Sequence, residues 1–199
     1  MNYTILMGSP NRAGNTAALL RPFLETNEAL GVEQEVIWLY GKEVLPCLGC
    51  KACQDAAGKL GCVQKDDVEA SYHKILESDL VVLATPIYSW FCTAPMKNLL
   101  DRLVYAGCKY YGKEHLGSTL AGKRLMSIAT CGYPPEKGVD LWGAALLRWC
   151  KHAGMEYLGM YSHRDTGNKA EFMNDRVDAD LRAYTRALYR TIEQSKEAL

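Results

Sequence analysis

The run Leu80-Val81-Val82-Leu83-Ala84 decides the fold. All five residues are apolar, which is typical of a central strand in a parallel sheet covered on both faces. Outward from it, short and largely apolar runs at residues 3–7, 36–39, 124–129 and 155–160 predict four more strands.

Segments with apolar residues at helical spacing separate these strands. The predicted helices cover residues 16–30, 67–77, 96–104, 139–152 and 175–196. Strands that alternate with helices predict an α/β fold, a doubly wound five-stranded parallel sheet with helices on both faces. A chain of 199 residues fits a single domain over 1–199, in which 47–62 is a cysteine-rich loop insertion and 175–196 a C-terminal helix.

Charge and composition limit the classes of partner that we expect the protein to bind. Lys plus Arg and Asp plus Glu are both 23, so no broad basic surface is expected and nucleic acid is excluded as a partner. The N-terminus has no basic signal region, and no apolar stretch approaches the roughly 20 residues of a membrane span. We therefore expect a cytoplasmic protein without a membrane partner. Disulfides are rare there, so the four of its eight cysteines that cluster between residues 47 and 62 point to metal or redox chemistry.

The loop after the first strand carries many short donors. Residues 8–16 read Gly-Ser-Pro-Asn-Arg-Ala-Gly-Asn-Thr and lie before a predicted helix N-terminus, which suits a phosphate. The candidate donors are Ser9, Asn11, Arg12, Asn15 and Thr16. Neither Gly-x-Gly-x-x-Gly nor a P-loop is present, which favours a mononucleotide. The alternative is an ordinary polar turn in which Thr16 caps the helix.

The loop after the third strand is rich in aromatic residues. Residues 85–97 read Thr-Pro-Ile-Tyr-Ser-Trp-Phe-Cys-Thr-Ala-Pro-Met-Lys. Three aromatic side chains in four positions, in a loop set by a proline, can form the walls of a site for a flat ligand. The alternative is that one or two of them pack against a helix or a partner subunit.

Together these motifs resemble the flavodoxin-like NAD(P)H-dependent FMN reductases over residues 1–133. The matching motifs are Gly-Ser-Pro-Asn-Arg-x-Gly-Asn-Thr, Thr-Pro-Ile-Tyr and Met-Lys-Asn-Leu-Leu-Asp-Arg. The resemblance implies a flavodoxin-like sheet and FMN, with the phosphate on the first loop. It places the flavin ring along Pro86, Ile87, Tyr88, Ser89 and Trp90, and near a third loop with Thr130, Gly132 and Tyr133. The family often has Tyr-Trp where this chain has Ser-Trp-Phe.

The resemblance also implies an activity. FMN would accept hydride from NAD(P)H and reduce a small-molecule acceptor (a quinone, a nitro or azo compound, or a flavin) or a protein. The flavin carries this chemistry, so no catalytic side chain is expected. Tyr88, Trp90 and Tyr133 are expected to frame the open face of the ring. Members of the family form homodimers or homotetramers.

The closely spaced cysteines allow two interpretations. Cys47, Cys50 and Cys53 are each separated by two residues, and Cys62 follows after eight more. Such a compact run suits an iron–sulfur cube better than zinc, and it resembles the iron–sulfur flavoproteins, which carry a [4Fe-4S] cluster. The protein would then be an electron carrier with a ferredoxin-like partner. The segment and the Asp-Asp pair at 66–67 also resemble reductases without a cluster, in which the four thiols stay free.

Overall fold

A parallel five-stranded sheet forms the centre of the computed structural model, which describes residues 1–197 apart from the side chains at 169, 170 and 197. The last two residues of the expected domain, 198–199, lie outside the described residues. The sheet consists of β1 (Asn2–Met7), β2 (Glu33–Trp38), β3 (Leu80–Pro86), β6 (Arg124–Cys131) and β7 (Glu156–Arg164), and β4 (Cys108–Lys109) and β5 (Gly117–Ser118) form a separate short hairpin.

The helices are α1 (Asn15–Ala29), α2 (Val68–Glu77), α3 (Ala94–Gly107), α4 (Pro135–Gly138), α5 (Asp140–Ala153), α6 (Lys169–Phe172) and α7 (Asp175–Glu197). The strand order is β2-β1-β3-β6-β7, and every neighbouring pair is parallel. This is the flavodoxin-like order, and it confirms the predicted fold.

Two apolar cores sandwich the sheet because successive side chains of a buried strand point to opposite faces. In β3, Val81 and Leu83 join the core that contains Leu99 of α3 and Trp142 of α5. Val82 joins the second core, which is formed with α1 and α7. The predicted helices on both faces are confirmed, and all loops that follow the strands lie at one edge of the sheet.

Several boundaries differ from the prediction. The fifth strand does not end at residue 160 but runs to Arg164, since Cys131 pairs with Arg164 at the end of the β6–β7 ladder. The sequence did not predict this extension because β7 is an edge strand and its last residues, 161–164, are largely polar. The third helix begins at Ala94 rather than 96, with Pro95 in its first turn, where proline is tolerated. Among residues 1–197, none of the helices has the length and apolar character that a membrane crossing requires.

Candidate functional site

The loop after β1 leads into a helix N-terminus that no side chain caps among the described residues. Gly14 is the N-cap of this helix, α1. The N–H groups of the first turn therefore lack intrahelical acceptors. The alternative in which Thr16 caps the helix is wrong, because Thr16 lies inside the first turn, is buried, and shares a 2.8 Å hydrogen bond with the hydroxyl of Thr130.

Short polar contacts hold this loop in shape. The Ser9 hydroxyl is buried and accepts a hydrogen bond from the Asn11 N–H at 3.2 Å. The Asn11 side-chain oxygen accepts one from the Ala13 N–H at 3.0 Å. The Arg12 guanidinium lies 4.5 Å from the centre of the Trp38 ring. The loop thus combines ordered backbone donors with one cation, as a phosphate site requires.

Asn15 shows a contact that sequence reasoning missed. Its amide donates to the carboxylate of Asp165 at 2.7 Å, and the Asp165 N–H donates to the Cys131 carbonyl at 2.7 Å. Asp165 directly follows β7, and the carboxyl end of that strand borders the same site. Inspection of the loop after the fifth strand, as well as the first, third and fourth, is the signal that would have found it.

The aromatic loop makes a tight reversal. Tyr88 and Phe91 exchange backbone hydrogen bonds of 2.8 and 3.0 Å, and the two residues between them, Ser89 and Trp90, have φ of 50° and 62°. Two successive positive φ values define a type I′ turn, which normally takes asparagine and glycine. Side chains in this conformation cost about 1–3 kcal/mol each, and such strain clusters at ligand sites.

The turn and the third loop enclose a pocket at the end of β3 and β6. It has a volume of about 320 Å³ and is lined by Ile87, Ser89, Trp90, Cys131, Gly132, Tyr133 and Gly138. The rings of Trp90 and Tyr133 stack 5.8 Å apart at an angle of 14°, and both are about half exposed. The Ile87 N–H donates to the Thr130 carbonyl at 2.7 Å, which fixes one loop against the other.

The residues singled out in the sequence therefore fall into groups. Thr16, Ile87 and Thr130 are joined by hydrogen bonds, and Ser89, Trp90, Gly132 and Tyr133 line the pocket. Tyr88 is 54% exposed and does not line this pocket. Phe91 turns away and packs edge-on against Trp142, 5.2 Å between ring centres, so for one aromatic the packing alternative is right.

A second, smaller pocket gathers the cysteine segment. Cys47, Cys50, Cys53 and Cys62 all line it, together with Arg102, Tyr105 and Ala106 of α3. Its volume is about 20 Å³, room for about one water molecule. No three His, Cys, Asp or Glu side chains among residues 1–197 are grouped closely enough to hold a metal ion. The pocket offers a soft four-thiol donor set, in which Cys50 is exposed and the other three cysteines are partly buried.

Buried polar side chains anchor this segment from below. Lys109 is 1% exposed and donates to the carbonyls of Cys53 (2.6 Å) and Leu60 (3.3 Å). Burial lowers the pKa of Lys109, although the Cys53 thiol opposes this shift. Gln54 is also buried and accepts the Tyr111 N–H at 2.9 Å. These contacts fix the backbone around Cys53.

The conformation of Gly61 allows the chain to return to Cys53 just before Cys62. Gly61 has φ of +67°, and a Cβ at this position would lie 2.3 Å from the Cβ of Ala56. The backbone of Cys53 passes 3.5 Å from the same point. Burial raises the pKa of the Cys53 thiol, and the neighbouring Cys62 raises it further. The eight-residue gap is thus compatible with Cys62 as a fourth ligand.

A buried ion pair closes the pocket. Arg102 binds Asp66, and both side chains are almost fully buried. Burial opposes ionisation of both groups, yet the hydrogen bond between them lowers the pKa of Asp66 and raises that of Arg102. Cys62 and Arg102 line the same pocket, and the Cys62 thiol also contributes to the raised pKa of Arg102. The sequence analysis did not predict this pair, although Leu99 and Ala106 place Arg102 on the apolar face of α3.

Comparison with known proteins agrees with this architecture. The family model described as NADPH-dependent FMN reductase matches residues 1–137. The chain is 36% identical over 134 residues to an iron-sulfur flavoprotein of Archaeoglobus fulgidus, an alignment that covers 66% of this chain and 56% of that protein. It is 39% identical over 97 residues to an iron-sulfur flavoprotein of Methanocaldococcus jannaschii, covering 49% of each.

Structural comparison supports the fold. An NAD(P)H:quinone oxidoreductase from Methanothermobacter marburgensis superposes with a TM-score of 0.69 at 19% identity, covering 95% of this chain and 97% of that one. The chain spans about half the length of the curated relatives that it matches.

Proposed function

The chain belongs to the NADPH-dependent FMN reductase family, and from that premise we propose that it is an iron–sulfur flavoprotein that binds FMN at the strand ends and a [4Fe-4S] cluster on Cys47, Cys50, Cys53 and Cys62. When bound, FMN takes up hydride from NAD(P)H, and the cluster exchanges single electrons. The protein contributes binding, orientation and control of solvent.

The first loop would bind the FMN phosphate. The candidate ligands are Ser9, Asn11, Arg12, Asn15 and Thr16. The uncapped N-terminus of α1 supplies backbone N–H donors and a positive dipole end. Arg12 adds a charge, and its stacking on Trp38 limits its freedom. Since the hydroxyl of Thr16 is bonded to Thr130, Thr16 would contribute through its N–H.

The aromatic turn and the third loop would hold the flavin ring. Pro86, Ile87, Tyr88, Ser89 and Trp90 form one side of this site, and Thr130, Gly132 and Tyr133 form the other. Trp90 and Tyr133 stack with their centres 5.8 Å apart, which is too close for a third ring between them. We therefore expect one of these two side chains to rotate away from the other and to cover the flavin. Both side chains are about half exposed, which leaves space for nicotinamide.

The single observation that supports a bound cluster is that the four cysteines line one pocket. They come from two ends of a 16-residue segment and still line one pocket, with a buried guanidinium at its wall. Arg102 lies about 14 Å along α3 from its N-cap Thr93, at 1.5 Å per residue. The same helix thus connects the proposed flavin and cluster sites.

The second candidate is an FMN reductase without a cluster. The small volume of the cysteine pocket, about 20 Å³, favours it, since four reduced thiols line that space and no further atoms have to be accommodated. In that case the acceptor would be a quinone, a nitro or azo compound, or a flavin. In the iron–sulfur case a ferredoxin-like protein is the partner we propose. In both cases we propose one domain over residues 1–199 and a homodimer or homotetramer.

Anaerobic purification of the full chain distinguishes the two candidate functions. We expect flavin absorbance together with a broad iron–sulfur band, one FMN and about four irons with four acid-labile sulfides per chain. The variant Cys50→Ala should lose iron and keep FMN, whereas Cys150→Ala, which changes a buried core cysteine, should keep both. Flavin without iron in the unaltered chain would establish the second candidate, and absence of flavin after reconstitution would overturn both.

A further inference from the structure

Asp66 is a fixed carboxylate behind Arg102, which lines the cysteine pocket. Its side chain is fully buried, and its oxygens accept the N–H groups of Leu45 at 2.9 Å and Val68 at 3.2 Å in addition to the guanidinium of Arg102. These contacts join the chain on both sides of the cysteine segment. Asp66 therefore has little freedom to move, and it holds the guanidinium by the Nη1 atom.

Arg102 retains two buried donors. Among the described residues no oxygen or nitrogen atom accepts its Nε and Nη2 donors, although the side chain is 1% exposed, and the Cys62 sulfur lies within hydrogen-bonding reach of the guanidinium. Buried guanidinium N–H groups without acceptors are costly, and native structures rarely contain them. The two atoms share one edge of the planar group, so their N–H bonds point in the same direction. Arg102 is also the one arginine that lines the pocket in the described part of the chain.

We propose that Arg102, positioned by Asp66, donates hydrogen bonds from Nε and Nη2 to sulfur atoms of the cluster and thereby raises its reduction potential. This inference rests on the proposed function, since it requires the cluster. Four thiolates give a cluster a net negative charge, which increases when it accepts an electron. A buried cation and N–H···S bonds stabilise the more negative form.

The position of Asp66 does not cancel this effect. The carboxylate binds Nη1, and Asp66 is not among the residues that line the pocket, whereas Arg102 is. The cation is thus the nearer charge of the pair. Lysine could supply the charge but not two parallel N–H bonds, because its ammonium group is a single point on a flexible stem. The fork geometry is the reason that arginine is needed.

The test compares reduction potentials in the anaerobically purified, cluster-containing full chain. Dithionite supplies the electrons, and the spectrum of the reduced cluster reports the end point. Arg102→Lys should keep FMN and iron but make the cluster harder to reduce, with at least a tenfold shift in the equilibrium, or about 59 mV for one electron. The control Arg124→Lys changes an arginine paired with Glu156 at the other end of the sheet, and its potential should equal that of the unaltered protein.

A measurement on the unaltered chain covers the case in which Arg102 variants fail to fold. With ¹⁵N-arginine incorporated, pulsed electron paramagnetic resonance of the reduced cluster should detect coupling to ¹⁵N. An unchanged potential in iron-containing Arg102→Lys, or no ¹⁵N coupling in the unaltered chain, overturns the role of Arg102 and leaves the cluster in place. An unaltered chain that has FMN but no iron overturns the cluster and this inference together.

Discussion

The flavin-side loops and the cysteine segment differ in how they are held. The loops after β1, β3 and β6 are bonded to one another, through Thr16 to Thr130 and through Ile87 to Thr130. The cysteine segment is held by contacts to other parts of the chain, from Lys109 and Gln54 and from Asp66 and Arg102, while its four cysteines line one pocket. The first site is formed by loops at the strand ends of the sheet, and the second depends on a few buried polar and charged side chains.

The largest expected effect comes from the buried pair. Arg102→Met leaves the Asp66 carboxylate buried without its cation, which should lower the free energy of unfolding by about 3–5 kcal/mol. Urea denaturation followed by circular dichroism measures the loss. The matched control is Arg176→Met, which removes an arginine whose side chain is 91% exposed and whose partner is Asp180. Its effect should stay below about 1 kcal/mol, and equal losses would remove the distinction between the two regions.

The pair of Arg102 and Asp66 also predicts that the stability of the protein depends on pH. The pKa of Asp66 is lowered in the folded state, mainly by its hydrogen bonds in opposition to burial. Its contribution to stability is therefore complete above the unfolded pKa of about 3.9 and is lost as the pH falls through the lower, folded value. Denaturation curves from pH 6 downward should show this loss in the unaltered chain and a weaker one in Asp66→Asn. Parallel curves would contradict it.

A smaller effect is expected beneath the cysteines. Lys109→Met removes both donors to the carbonyls of Cys53 and Leu60, which should cost about 1–3 kcal/mol. It should also speed the reaction of the Cys53 thiol with a disulfide reagent. Lys113→Met, at an exposed position, serves as the control. FMN binding should be unchanged in both, and a weaker FMN affinity in Lys109→Met would show that the two regions are coupled.

On the flavin side the effects should be modest and confined to FMN. Thr16→Val removes the hydroxyl bonded to Thr130. One hydrogen bond contributes about 0.5–1.5 kcal/mol, so the FMN dissociation constant should rise about two- to tenfold by fluorescence titration. Thr191→Val, at an exposed position of α7, should leave it unchanged. Iron content should be the same in both variants, and loss of iron in Thr16→Val would count against two separate sites.

The smallest effect concerns the strained turn. Ser89→Gly relieves a positive φ of 50°, worth about 1–2 kcal/mol, and loses about 0.5–1 kcal/mol because glycine is more flexible when unfolded. Stability should therefore rise by about 1 kcal/mol or less, while Ser89→Ala keeps the strain and should match the unaltered chain. Thermal denaturation without FMN resolves this difference. FMN should bind less tightly to the glycine variant because the loop is less ordered. Equal stability of the two variants would show that the turn is not strained.

The sequence predicted the sheet well because its signals are local. Apolar runs such as 80–84 mark buried strands wherever they occur, and the donors of the first loop are adjacent in the chain. Arg102 was not predicted, since it is buried only through Asp66, 36 residues earlier. One sign was present: Leu99 and Ala106, three before and four after it, place Arg102 on the buried face of α3. Asp165 was missed because the loop after β7 was not considered as part of the site.

Native mass spectrometry of the anaerobically isolated full chain tests the central claim most directly, because one spectrum reports both groups in the same molecule. The account predicts a mass per chain that exceeds the polypeptide by one FMN and one [4Fe-4S] cluster, and loss of the cluster increment alone in Cys50→Ala. A dominant species with FMN and no iron, in the unaltered chain handled without oxygen, would contradict it.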